Sequence, residues 1–105
     1  HGELAFEPAE GAGIDAARVA AGLAIRPRHG GERLRLAPGE ARRALKSLLR
    51  ESGLPVWERE SLPLVANGDT LVAVPGIGVD AAWRAQPGRP GWLPVWRGIA
   101  RPPAS

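Results

Sequence analysis

The chain contains no cysteine, which excludes a disulfide framework and a thiolate metal site and fits a reducing cytoplasm. Methionine is absent too, even at position 1, where His1 stands, so the sequence reads as a processed product or a piece of a longer chain. The first apolar run, Leu4 to Phe6, follows an acidic residue and is too short for a signal peptide. No run approaches the roughly 18 apolar residues of a membrane-spanning helix. These absences describe a soluble chain, and its 105 residues leave room for one domain. Lysine occurs once, at Lys46, among 14 basic residues. With so much alanine, glycine and proline, that bias reflects a GC-rich genome, and the placement of the arginines says more than their number.

Placement is uneven. Residues 1–17 carry four acids and no cation, residues 18–50 carry nine cations against Glu32 and Glu40, and residues 51–105 are balanced. A net +7 within 33 residues is a field that attracts phosphate backbones. Alternation of Leu23 and Ile25 with Arg26 and Arg28, then of Arg33 and Arg35 with Leu34 and Leu36, around a Gly30-Gly31 turn, predicts a β-hairpin with all four arginines on its solvent face. After Pro38-Gly39, an amphipathic helix is predicted over 40–52, stopped by Gly53 and Pro55. Its apolar arc of about 140° holds Ala41, Ala44, Leu45, Leu48 and Leu49, and its back holds Arg42, Arg43, Lys46 and Arg50.

Around this helix the chain is β-rich. Gly2 to Phe6 reads as an edge strand, and Asp15 as the N-cap of a short helical turn over 16–21 that Gly22 ends. Leu62 to Ala66 and Asp69 to Val74 flank Asn67-Gly68, a strong hairpin signal. Further strands are expected around Trp83 and over 92–96, with residues 101–105 as a frayed tail. The expected fold class is therefore α+β: several short, mostly antiparallel strands in a barrel-like or sandwiched sheet with one main helix. Trp57 is expected in the core, and at least one of Trp92 and Trp96 partly exposed.

Catalytic and cofactor motifs do not appear. There is no Walker loop, no pyrophosphate loop and no GxGxxG before a helix, and Gly76-Ile77-Gly78 reads as a turn. His1 and His29 lie far apart without partners at metal spacing, and His29 reads as a turn residue or a phosphate contact. The serines lack a His/Asp constellation, and Glu58 and Glu60 beside Arg59 read as a solvated helical turn. What remains is a basic surface whose helix back interleaves no acids, unlike the mixed signs of an ordinary solvated face.

The run Arg26-Pro27-Arg28-His29-Gly30-Gly31-Glu32-Arg33 resembles the RPRxGGER signature of bacterial tRNA(Ile)-lysidine synthases. The order continues like that family's C-terminal domain: a Pro-Gly loop, Leu45-Lys46-Ser47-Leu48-Leu49, Gly53-Leu54-Pro55-Val56-Trp57-Glu58-Arg59, Leu62-Pro63-Leu64, the Asn67-Gly68-Asp69 turn, and Leu71 to Val79. The match is best over 22–80. It departs at Ser47 and Arg50, where the family often carries lysine and glutamine, so that charge is kept but redistributed.

The resemblance implies a single C-terminal tRNA-binding domain over 1–105, similar to a module of the phenylalanyl-tRNA synthetase β subunit. It implies that the domain grips the acceptor stem of tRNA(Ile) while an absent N-terminal domain uses ATP to attach lysine to the wobble cytidine. No cofactor belongs to this chain, since ATP and lysine are substrates of the parent ligase. Candidate RNA contacts are Arg26, Arg28, Arg33, Arg35, Arg42, Arg43, Lys46, Arg50 and Arg59, expected to form one continuous positive surface. Partners are the tRNA and the remaining domains of the parent enzyme, in the cytoplasm and not on a membrane, because the helix lacks an aromatic anchor for lipid. The competing reading is a homodimerisation or domain-docking module that uses the late tryptophans.

Overall fold

The structure, a computed structural model, describes residues 2–98, so the expected frayed tail lies outside the described residues. The longest pairing joins β1 (Gly2–Glu10) to β9 (Pro90–Gly98), antiparallel from Gly2 opposite Gly98 to Glu10 opposite Pro90. A short β2 (Ile14–Asp15) takes the other side of β9, giving the order β1-β9-β2. Gly13 and Gly91 make that crowding possible. A Cβ on Gly13, whose φ is +76°, would lie 2.6 Å from the Trp92 carbonyl, and one on Gly91 would run into the Ala12 oxygen. Asp15 caps α1 (Ala16–Val19) by accepting the Ala17 N–H at 2.9 Å, as its sequence position predicts.

A second antiparallel sheet runs in the order β3-β6-β7-β8, from β3 (Ala24–Arg26), β6 (Leu64–Asn67), β7 (Thr70–Val74) and β8 (Gly78–Val79). The β6–β7 hairpin turns at Gly68-Asp69, one residue later than expected, with Asn67 opposite Thr70. Asn67 is freed from the turn, and its Nδ2 donates to the carbonyls of Ala21 and Gly22 at the end of α1. Both faces of this hairpin are covered, which explains its near-continuous apolar composition. One core gathers Leu34, Leu45, Leu48, Leu49, Leu62, Leu64, Leu71 and Val74, and the other gathers Ile14, Val65, Val72, Ala73 and Val79.

Four expectations need correction. The arginine hairpin does not form. Its first half, β3, pairs with the exposed edge of β6, and its second half, β4 (Arg33–Leu34), pairs with β5 (Arg43–Ala44). Ile25 is consequently half exposed and Arg26 half buried, the reverse of the expected faces, while Leu34 is fully buried. The main helix is also shorter. It runs as α2 (Leu45–Glu51) because Arg43 and Ala44 spend their backbone groups on the β4–β5 ladder. Tertiary pairing thus overrides the helical preference of residues 40–44. The face of α2 is as predicted, with Leu45, Leu48 and Leu49 buried, and it ends at Ser52 and Gly53.

The third correction concerns Trp57, which stands 46% exposed in the first turn of α3 (Val56–Ser61), since Leu54 and Leu62 fill the core on either side of that helix. The fourth concerns Trp83, which sits in a turn over 81–83, with the Arg18 guanidinium 5.8 Å from its ring centre, and only Arg84 beyond it forms a bridge, to Ile14. The late tryptophans match expectation: Trp92 is 39% exposed and Trp96 packs against the first core. Among the described residues no helix is long and apolar enough to cross a membrane.

Leu48→Ala should cost about 2 to 5 kcal/mol of stability through the cavity it leaves between α2 and the β6–β7 hairpin. Urea denaturation of the two proteins measures the difference.

Candidate nucleic-acid interface

The loop over 27–32 is built by its own glutamate. Glu32 accepts the His29 N–H at 2.7 Å with one carboxylate oxygen and the Gly30 N–H at 3.0 Å with the other. Its carbonyl accepts the N–H of Leu45, the first residue of α2, at 2.9 Å. Gly30 and Gly31 both have positive φ, +99° and +81°, with open space where a side chain would stand, so conformation and not crowding demands glycine there. The loop is thereby closed on itself and tied to the start of α2. Partial burial raises the pKa of Glu32. The N–H groups of His29, Glu32 itself and Gly30, with the Arg26 guanidinium nearby, outweigh that burial and hold the carboxyl below its usual range.

On either side of this loop lies a polar cleft. One is lined by Arg28 from the loop, Lys46, Leu49 and Arg50 from α2, and Val56, Arg59 and Glu60 from α3. Four cations thus converge from three segments with a single acid among them. None has an ion pair among the described residues, where the two bridges present are Arg43 with Glu51 and Arg97 with Glu7. The Nε atoms of Arg28 and Arg59 are shut off from solvent without a hydrogen-bond partner, as is that of Arg26. Sunken stems of this kind restrict the guanidinium and reduce the ordering cost of meeting an anion.

The other cleft, of about 400 Å³, is lined by Arg26, Arg33 and Arg42, by the loop over 29–32, and by Asp69, Thr70, Leu71 and Asp80. Of the nine cations singled out from the sequence, eight arginines and one lysine, seven therefore fall into two groups, one on each side of the loop. Two stand apart from both. Arg43 lies in β5, not on the helix back, and is paired with Glu51. Arg35 is exposed, and its backbone binds Asp80 and Ala81. Asp69 and Thr70 were visible in the sequence only as turn and strand residues, because nothing local connects them to a loop some 40 residues earlier.

The fold and this surface define a small α+β domain with seven cations gathered into two clefts, none of them in an ion pair among the described residues. The chain belongs to the TilS substrate C-terminal domain family, whose model matches residues 23–96. It is 43% identical over 95 residues to the tRNA(Ile)-lysidine synthase of Ralstonia nicotianae, covering 90% of this chain and 20% of that protein. It is 46% identical over 102 residues to the synthase of Chromobacterium violaceum, covering 96% and 22%. The chain thus spans about a fifth of the length of these curated relatives. A crystal structure of a TilS C-terminal domain superposes with a TM-score of 0.65 at 27% identity, over 93% of this chain and 85% of the other.

A carboxyl whose pKa is lower in the folded than in the unfolded protein stabilises the fold above its unfolded value and loses that contribution as pH falls through the folded one. The amide signals of His29 and Gly30 should therefore shift with an inflection below the value that a glutamate shows in the unfolded chain. The inflection should vanish in Glu32→Gln. An NMR titration placing it at or above that value would refute the arrangement.

Proposed function

We propose that the chain is the tRNA-gripping C-terminal domain of a cytoplasmic tRNA(Ile)-lysidine synthase. It holds the acceptor stem of isoleucine tRNA while another domain of the parent enzyme uses ATP to attach lysine to the wobble cytidine. The observation that carries the reading is the convergence of Arg28, Lys46, Arg50 and Arg59 on one cleft, without ion pairs among the described residues. Unpaired guanidinium forks match phosphate oxygens and attract a backbone through counterion release. A-form RNA hides its bases in a narrow major groove, so such a surface meets phosphates and 2′-hydroxyls and reads shape more than sequence. On this reading the chain supplies grip and the catalytic step takes place elsewhere in the parent.

Lys46→Ala and Arg50→Ala should each weaken binding to isoleucine tRNA and lower the slope of log affinity against log salt by up to about one unit. Both side chains are exposed, so stability should stay within about 0.5 kcal/mol of the unaltered protein. Filter binding across a salt series, with a melting curve for each variant, gives both quantities. Unchanged affinity and slope would overturn the proposal.

A second reading has its own observation. Phe6, Ile25 and Trp92, all exposed, border an apolar groove of about 550 Å³ with Val19 and Leu23. Exposed apolar patches of this kind mark interaction surfaces, and the occupant on this reading is the remainder of the parent chain. Ile25→Glu in the whole enzyme should then speed proteolytic release of the domain while leaving the isolated domain's tRNA affinity unchanged. Equal rates of release would remove this reading.

A further inference from the structure

The cleft between the Glu32 loop and the β6–β7 turn differs in kind from the one beside α2. It holds cations, Arg26, Arg33 and Arg42, but also three acids, Glu32, Asp69 and Asp80. Two of the acids are already occupied. Both oxygens of Glu32 accept loop N–H groups, and Asp80, only 7% exposed, accepts from the N–H groups of Arg35 and Ala82. Asp69 sits exposed at the tip of the turn, and its carboxylate has no hydrogen bond or ion pair among the described residues. Arg33 and Arg42 are likewise exposed and without an ion pair among the described residues. Donors and an acceptor therefore face one space without satisfying each other.

An acid is out of place in a cleft that serves only phosphate, because it repels the ligand the arginines attract. It suits a ligand that carries an anionic group at one end and a hydrogen-bond donor at the other. A nucleotide has both, and carboxylates accept from the amino group of cytosine. The cleft's volume, about 400 Å³, falls within the range of small-ligand sites, roughly 300 to 1,000 Å³. Within an A-form duplex that amino group is out of side-chain reach, so the nucleotide must be unpaired.

We infer that this cleft takes a single unpaired nucleotide next to the bound stem, with its phosphate on Arg33 and Arg42 and an amino-bearing base against Asp69. The inference rests on the RNA-binding reading above and adds a base-reading site to it. The loop that walls the cleft is already held by Glu32, so little ordering is left to be done on binding.

Three RNA hairpins with one stem test it: a blunt one, one with a short cytidine overhang and one with a uridine overhang of equal length. The cytidine overhang should bind about five-fold or more tighter than the blunt stem, the effect of one added hydrogen bond to a charged group, and tighter than the uridine overhang, which presents a carbonyl where cytosine has its amino group. Asp69→Ala should keep the affinity for the blunt stem and abolish the difference between cytidine and uridine. Arg42→Ala should reduce the gain from either overhang, and unchanged melting curves for both variants show that the fold is intact. The inference is overturned if overhangs add nothing to the unaltered protein, or if the cytidine preference survives in Asp69→Ala. Failure of the blunt stem to bind while the overhang RNAs still do would remove the stem-gripping reading and leave this site standing.

Discussion

The β6–β7 hairpin is buried on both faces, and the rest of the domain is arranged to meet that demand. Leu64, Leu71 and Val74 present one core, while Val65, Val72 and Ala73 present the other. Burying each of these leucines and valines contributes roughly 1.5 to 3 kcal/mol, more than an exposed ion pair gives. One core must be closed by α2 with Leu34, and the other by Ile14 of β2, with Leu4, Val19, Leu23 and Trp83 packed against it. The chain's route follows from this: α2 must lie against the hairpin, and the segment before it must bring Leu34 into the same core.

That route has consequences for charge. Leu34 is fully buried one residue after Arg33, and Leu45 one residue before Lys46. Apolar anchors thus fix where the backbone presents the cations beside them. The β4–β5 ribbon sends Arg42 towards the side of the loop that holds Arg26 and Arg33, while α2 carries Lys46 and Arg50 to the other. Some arginines elsewhere are put to structural use. Arg84 donates to the carbonyls of Leu36 and Val79, and Arg43 and Arg97 are neutralised by glutamates. Among the described residues the cations of the clefts make no side-chain hydrogen bond or ion pair of this kind.

Much of this was legible in advance. The apolar spacing of Leu45, Leu48 and Leu49 marks the buried face of α2, Gly53 marks its end, and Asp15 marks the start of α1, because caps and helical periodicity act within a turn or two of the chain. The β6–β7 hairpin is read from its apolar strands and its Asn-Gly pair, with the turn displaced by one residue because Asn67 is drawn to the end of α1. The cationic character of residues 18–50 is likewise a property of composition.

Strand partners and the division of the charge belong to the tertiary structure. Residues 23–36 alternate as a hairpin would, yet β3 pairs with β6 some 40 residues away, since the open edge of a buried sheet offers it more than a flexible Gly-Gly turn to Arg33 does. That choice turns Ile25 outward, separates Arg26 from Arg28 and converts one expected positive face into two clefts. It also brings Asp69 opposite Arg33 and Arg42. The sequence by itself determined which residues are apolar, which are charged, where α1 starts and where α2 stops, because those signals are local. Which strand lies beside which, and therefore which charges share a cleft, was decided by long-range burial, whose energy is settled only when distant segments compete for the same edge.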